Sequence, residues 1–144
     1  SAGAVVYYFD EKPYFLFLRN TLKTTYWEFP KGKIEENEET ETTVKREVEE
    51  ETEIKEMQLI PGFKHKLEWF FKFKGELIKK EAIYLLVKIS KKEAEKVKIN
   101  HEHEAFGWFD YNQAFEKLNK NTGKEMLTKA YKFILEHERQ KRLE

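Results

Sequence analysis

Residues 29–54 read FPKGKIEENEETETTVKREVEEETEI, and the centre of that stretch, Arg46-Glu47-Val48-Glu49-Glu50-Glu51, decides how the rest of the chain is read. At about 100° per residue, a helix here turns Glu47, Glu50 and Glu51 into one sector and sends Lys45, Glu49 and Glu53 nearly the opposite way. Three carboxylates on one face repel one another, and a divalent cation relieves the repulsion because hard oxygen ligands suit Mg²⁺ or Mn²⁺. Arg46 lies beside Glu50 on the same wheel and can brace it. Taken on charge alone, a solvated acidic helix laced with pairs such as Lys45 and Glu49 is the simpler account.

Outward from that core, Val44 and Val48, with Thr40 and Thr52 in line, give the helix one narrow apolar stripe. Such a stripe predicts a helix over about 39–52 that packs one edge on a sheet while its carboxylates rim a cleft. Residues 31–38 carry no helical period and read as a loop. Upstream, residues 3–9 and 14–18 are β-branched and aromatic runs separated by Asp10-Glu11-Lys12-Pro13, a hairpin of largely buried strands. A polar loop over 19–25 leads to a short strand, Tyr26-Trp27-Glu28-Phe29, that Pro30 ends.

Downstream, residues 57–73 form a long strand broken at Pro61-Gly62, and the alternation of apolar and basic residues after the break predicts one wet, basic face. Residues 77–89 contain an apolar run, 82–87, continuous enough for a central strand. Ser90 and Glu93 have the form of a capping box over a short helix. A polar loop, 100–104, precedes a strand at 106–109; Asp110 caps a helix to about Leu118; residues 119–123 break it, and a closing helix runs over about 124–139. This order predicts a mixed β-sheet between helices in one α/β domain spanning 1–144.

With 27 basic and 27 acidic residues, a general attraction to nucleic acid or to an anionic membrane is not expected, so local clusters must do any phosphate binding. The absence of cysteine excludes disulfides and thiolate metal sites. No apolar run approaches the roughly 20 residues a bilayer needs, and the N-terminus lacks the basic-then-apolar order of a signal peptide, so the expected location is cytoplasmic. His101 and His103 alternate as two zinc ligands on a strand would, yet no third nitrogen or sulfur ligand follows from the spacing. A carboxylate of that loop, Glu102 or Glu104, fits better as an addition to an oxygen-rich site on the acidic helix.

The spacing is more specific than the charges. Gly32, Glu38 six positions on, Arg46-Glu47 eight further, then Val48, Glu50-Glu51 and Ile54 reproduce the Nudix box, with Glu53 standing where the box has glycine. A residue at that point must take a left-handed conformation or end the helix differently. The chain resembles the Nudix family, and within it the branch that hydrolyses diadenosine tetraphosphate asymmetrically. The marks of that branch are 27–32 (WEFPKG), 62–67 (GFKHKL), Ile83-Tyr84, and His101-Glu102-His103 with Trp108 behind.

The resemblance implies an α/β/α sandwich, Mg²⁺ as cofactor with Mn²⁺ as an alternative, and cleavage of a dinucleoside tetraphosphate, Ap4A, to ATP and AMP. By position, Glu47 and Glu51 match metal-binding carboxylates that also serve the chemistry with Arg46, Glu50 is the remaining box acid, and Glu102 matches the branch's additional acidic ligand. Lys31 matches a phosphate-facing lysine, Lys80 another with Lys79 as the neighbouring choice, Trp69 an adenine-stacking aromatic, and Tyr84 a position in the substrate site. The branch's second stacking aromatic falls at Thr122-Gly123, where this chain has none; Tyr131 is the nearest substitute and reads better as core. Other functions compatible with the box are removal of pyrophosphate from RNA 5′ ends, hydrolysis of other nucleoside diphosphate derivatives, and a nucleotide-sensing module without turnover. Sensing modules are expected to lose box acids, and here all are present. Small nucleotides are the expected partners, and oligomeric state stays open.

Overall fold

In the computed structural model, which describes residues 1–20, 26–100 and 102–144, strands Ala2–Asp10 (β1) and Lys12–Asn20 (β2) form the expected hairpin. Glu11 alone links them, with φ 66°. Near the turn the strands pair directly, Tyr7 with Phe15 and Asp10 with Lys12. Farther from the turn they part, and two short strands fill the gap: Trp27–Glu28 (β3) pairs with β2 at Leu18 and Arg19, and Lys31–Gly32 (β4) pairs with β1 at Ala2 and Gly3. The expected loop at 31–38 therefore begins as a bridge of sheet. Most of the polar loop expected over 19–25 lies outside the described residues.

The other edge of β1 runs parallel to Glu76–Lys88 (β6), from Ala2 opposite Ile83 to Tyr7 opposite Lys88. Gln58–Phe73 (β5) pairs antiparallel with β6, and His103–Phe109 (β7) closes the far edge against β2. One parallel pair among antiparallel ones makes the sheet mixed, as predicted. The break expected at Pro61-Gly62 is a bulge instead, because the register slips between Ile60 and Lys64 while the strand continues.

Helices cover both faces. Thr40–Thr52 (α1) buries Val44 and Val48 against Ala2, Ala4, Val6, Leu16 and Leu18, joined by Ala94 of the short helix Lys91–Ala94 (α2). Opposite them, Tyr111–Lys117 (α3) and Asn121–Leu143 (α4) place Ala114, Met126, Leu127, Ala130 and Ile134 on Val5, Tyr7, Phe15, Phe17 and Leu86. The even and odd residues of β1 thus serve two separate cores, the arrangement of an α/β/α sandwich. Asp110 and Gln113 complete a reciprocal capping box on α3. The closing helix starts at Asn121 and takes in Thr122 and Gly123, three residues earlier than expected. A buried polar tie joins it to the sheet: Glu138 Oε2 accepts from Lys88 Nζ at 2.7 Å and from the Tyr7 hydroxyl at 3.1 Å.

Candidate active site

The parting of β1 and β2 determines where α1 can place its side chains. Because β4 lies against β1, Gly32 faces the helix, and a Cβ there would overlap the Glu47 carboxylate. Only glycine admits Glu47 to that position. Arg46 holds Glu47 from the other side, with Nη1 donating to Oε1 at 2.9 Å. The same guanidinium gives its shortest bond, 2.8 Å from Nε, to Glu38, and a further one of 2.9 Å from Nη2 to the carbonyl of Lys33. Arg46 therefore fastens the loop to the helix. Its contact with Glu50, the brace expected from the wheel, is the longest of these at 3.3 Å.

Glu38 is the anchor of that arrangement. Besides Arg46 it accepts from the Thr43 hydroxyl at 2.7 Å and from the Glu35 N–H at 3.1 Å. The Arg46 hydrogen bond, then those of Thr43 and Glu35, hold its carboxyl down at about 2.

Glu51 stands in the opposite condition. It is 5% exposed, and its Oε2 is buried without a hydrogen-bond partner. Burial first, then the nearby carboxylates of Glu47, Glu102 and Glu28, push its pKa up to about 9. An orphaned buried carboxylate oxygen facing further acids is what a hard cation would satisfy. The structure thus brings Glu47, Glu51 and Glu102 together, adds Glu28 from β3, and leaves Glu50 at the rim with 55% of its side chain exposed. Among the described residues no three carboxylate or imidazole groups stand close enough to ligate an ion as they are. His101 lies outside the described residues; His103 is half-buried, with Nδ1 3.3 Å from Asn100 Oδ1.

Beside Glu28 is a cleft of about 300 Å³, lined by Tyr26, Glu28, Lys31, Trp69, Tyr84, the α3–α4 connection at Asn119 and Lys120, and the first turn of α4 at Thr122 and Gly123. Lys31 Nζ lies over the Trp69 ring, 4.4 Å from its centroid. Lys80 is directly opposite Trp69 across β5 and β6, so both point to the same side of the sheet. Lys79 points to the other side and pairs with Glu68 at 3.4 Å. Tyr84 is 5% exposed and forms a wall of the cleft, edge-on to Phe29. Burial, helped by Glu28 and Glu51, raises its hydroxyl well above the usual range, so it stays protonated. Tyr131 stacks on Tyr111 with centroids 4.2 Å apart, a core role. Sequence reasoning missed Glu28 and Tyr26. A lone acid on a short aromatic strand ended by proline was the available signal for Glu28; nothing singled out Tyr26, which is 47% exposed at the cleft.

The sandwich, the split sheet and the acid-bearing helix define the class of fold, and the chain belongs to the NUDIX family: the NUDIX domain matches residues 1–130. More particularly, it is similar to asymmetrical bis(5′-nucleosyl)-tetraphosphatases. It is 29% identical over 122 residues to that of Rattus norvegicus and 30% identical over 122 residues to that of Sus scrofa, in each case across 83% of this chain and 80% of the relative. Among solved structures, a C. elegans Ap4A hydrolase binary complex superposes with a TM-score of 0.80 at 26% identity, covering 93% of this chain and 96% of that one. The E. coli dihydroneopterin triphosphate pyrophosphohydrolase, at 17% identity and a TM-score of 0.68, shares the fold. Among the described residues no helix is long and apolar enough to cross a membrane.

Proposed function

We propose that this chain hydrolyses dinucleoside polyphosphates, with diadenosine tetraphosphate split to ATP and AMP by attack of water on phosphorus. The observation that carries the reading is the orphaned, buried Glu51 oxygen among Glu47 and Glu28, with Glu28 lining a cleft in which the Lys31 ammonium lies over the Trp69 ring. The similarity to tetraphosphatases in Rattus norvegicus and Sus scrofa supports the substrate class.

Glu47, Glu51 and Glu102 would hold the divalent cation, Mg²⁺ or Mn²⁺, with Glu50 reaching it from the rim. When bound there, such an ion neutralises phosphate charge and acidifies a coordinated water. The protein's own groups do the rest. Arg46 fixes Glu47 through the 2.9 Å bond and fixes the loop through Glu38 and Lys33, so that the carboxylate is positioned before substrate arrives. Glu51 and Glu47 are the candidates to accept the proton of the attacking water. Lys31 and Lys80 add fixed positive charge where the departing phosphate collects electrons. Trp69 offers the adenine a face, and for the base to take the near face Lys31 must leave it for the phosphates. That exchange keeps the ammonium beside a partner in both states.

Incubation with diadenosine tetraphosphate and Mg²⁺, with products separated by mass, tests the proposal. ATP and AMP in equal amounts are expected. Two ADP, or no turnover beside hydrolysis of another nucleotide, would contradict it.

A further inference from the structure

Only residues from Ile83 onward in β6 pair with β1, so the preceding part of β6 and its partners in β5 project from the sheet as a two-stranded ribbon. Large apolar side chains stay exposed on both its sides, Phe71 at 36% and Phe73 at 56% on one, Phe70 at 59% and Leu77 at 66% on the other. An uncovered ribbon of that kind calls for a partner. On the side that continues the cleft, Trp69, Phe71 and Phe73 follow one another at every second residue, roughly 7 Å apart. Each has its own ammonium within cation–π range: Lys31 at 4.4 Å from Trp69, Lys80 at 5.9 Å from Phe71, and Lys74 at 5.5 Å from Phe73. Among the described residues none of these three lysines has a carboxylate partner, whereas Lys66 and Lys79 on the reverse side are paired with Glu68.

We infer that this side of the ribbon binds single-stranded RNA, its bases stacking on Trp69, Phe71 and Phe73 and its phosphates running past Lys31, Lys80 and Lys74. Aromatic faces at regular intervals with unpaired cations between them form the stacking track that single strands use, and stacking requires no particular base. Charge complementarity favours a polyanion over a second copy of the chain: on this side Lys31, Lys74 and Lys80 stand against the single Glu76, which lies opposite Phe73. The balanced total charge argues against binding over the whole surface, not against binding along one ribbon. The track runs into a cleft that the proposed function fills with a ribonucleotide, and this continuity makes RNA the ligand. The inference adds a binding surface to that reading and does not depend on which small nucleotide is hydrolysed.

The test is fluorescence anisotropy with a 3′-labelled, roughly ten-nucleotide RNA of mixed sequence, in EDTA so that no hydrolysis intervenes. Wild type should bind the single strand at least about tenfold more tightly than the blunt duplex of the same sequence, with affinity falling as salt rises. The double substitution Phe71→Ala, Phe73→Ala should weaken single-strand binding at least about tenfold while leaving diadenosine tetraphosphate turnover within twofold. Lys72→Ala with Lys79→Ala, on the reverse side, should weaken it less than threefold. Single-strand binding unchanged in the double variant, equal binding of duplex, or equal binding of the deoxy strand would overturn the inference. So would a dimer in sedimentation velocity that the Phe71 and Phe73 changes dissolve. Because binding is read without turnover, failure here and failure of the proposed hydrolysis are separately visible.

Discussion

The backbone N–H of Glu53 donates to the carbonyl of Glu49 at 2.8 Å, and Glu53 takes φ 62° and ψ 12° to do so. The helix ends in the left-handed turn that glycine usually supplies, with a side chain carrying the strain. Glu53→Gly should therefore stabilise the protein by about 1 kcal/mol, roughly 2–4 °C in Tm for a chain of this size. Thermal denaturation followed by circular dichroism measures it; an unchanged or lowered Tm would show that the turn is not strained.

Gly32→Ala should cost activity more than stability. The added methyl must displace the Glu47 carboxylate, and turnover should fall at least about a hundredfold. Retained far-UV ellipticity would locate the loss in the site rather than in the fold.

Glu51→Gln should separate stability from function. The Glu51 carboxyl titrates at about 9 against 4.5 for an ordinary one, so folding favours its protonated form and the protein loses stability as pH climbs between those values. Glutamine has no proton to lose. In EDTA the variant should melt higher than wild type, by a margin that grows from pH 5 to pH 9 and reaches roughly 1–3 kcal/mol. Added Mg²⁺ should raise the wild-type Tm and leave the variant's unchanged, and hydrolysis should vanish. A variant that melts lower in EDTA at pH 8 would reverse the sign of this argument.

Acid should loosen the loop that carries Glu38. Its carboxyl is held near 2 against the usual 4.5, so the stabilising contribution is complete above about pH 4.5 and lost as pH falls toward 2. Hydrogen exchange of the Glu35 amide, which donates to Glu38 at 3.1 Å, should accelerate across that window relative to the intrinsic rate. In Glu38→Gln the step should be absent.

Trp69→Ala should raise KM for diadenosine tetraphosphate about tenfold or more with kcat within a few-fold, the signature of lost base stacking. A fall in kcat at unchanged KM would place Trp69 in the chemistry instead.

Much of the proposed site could be read before any coordinates, because the chemistry proposed for it demands fixed residue types and a helix fixes their azimuth. Gly32, Glu38, Arg46, Glu47 and Glu51 stand out by their match to the Nudix box. A wheel gives direction and not depth, however. Glu50 and Glu51 share its acidic sector, yet Glu51 is 5% exposed while Glu50 reaches water beside Arg46. Depth depends on the splitting of β1 from β2, which no local pattern announces, and the same splitting brings Glu28 to Glu51. Pro61-Gly62 read as an interruption because proline cannot donate to a ladder; a bulge solves that problem without ending the strand. At Lys79 and Lys80 the alternation of a strand was decisive, but only once the register with Trp69 was known.

The wedge of β3 and β4 between the first two strands divides labour within the molecule. In the proposed reaction the bond-breaking groups are mounted on α1 and on that wedge, whereas the surfaces proposed to read the ligand's identity sit on the free ribbon and on the α3–α4 connection. On that proposal, lengthening or recolouring the ribbon would retarget the protein without disturbing the acids on α1, so that specificity and reactivity are free to drift independently.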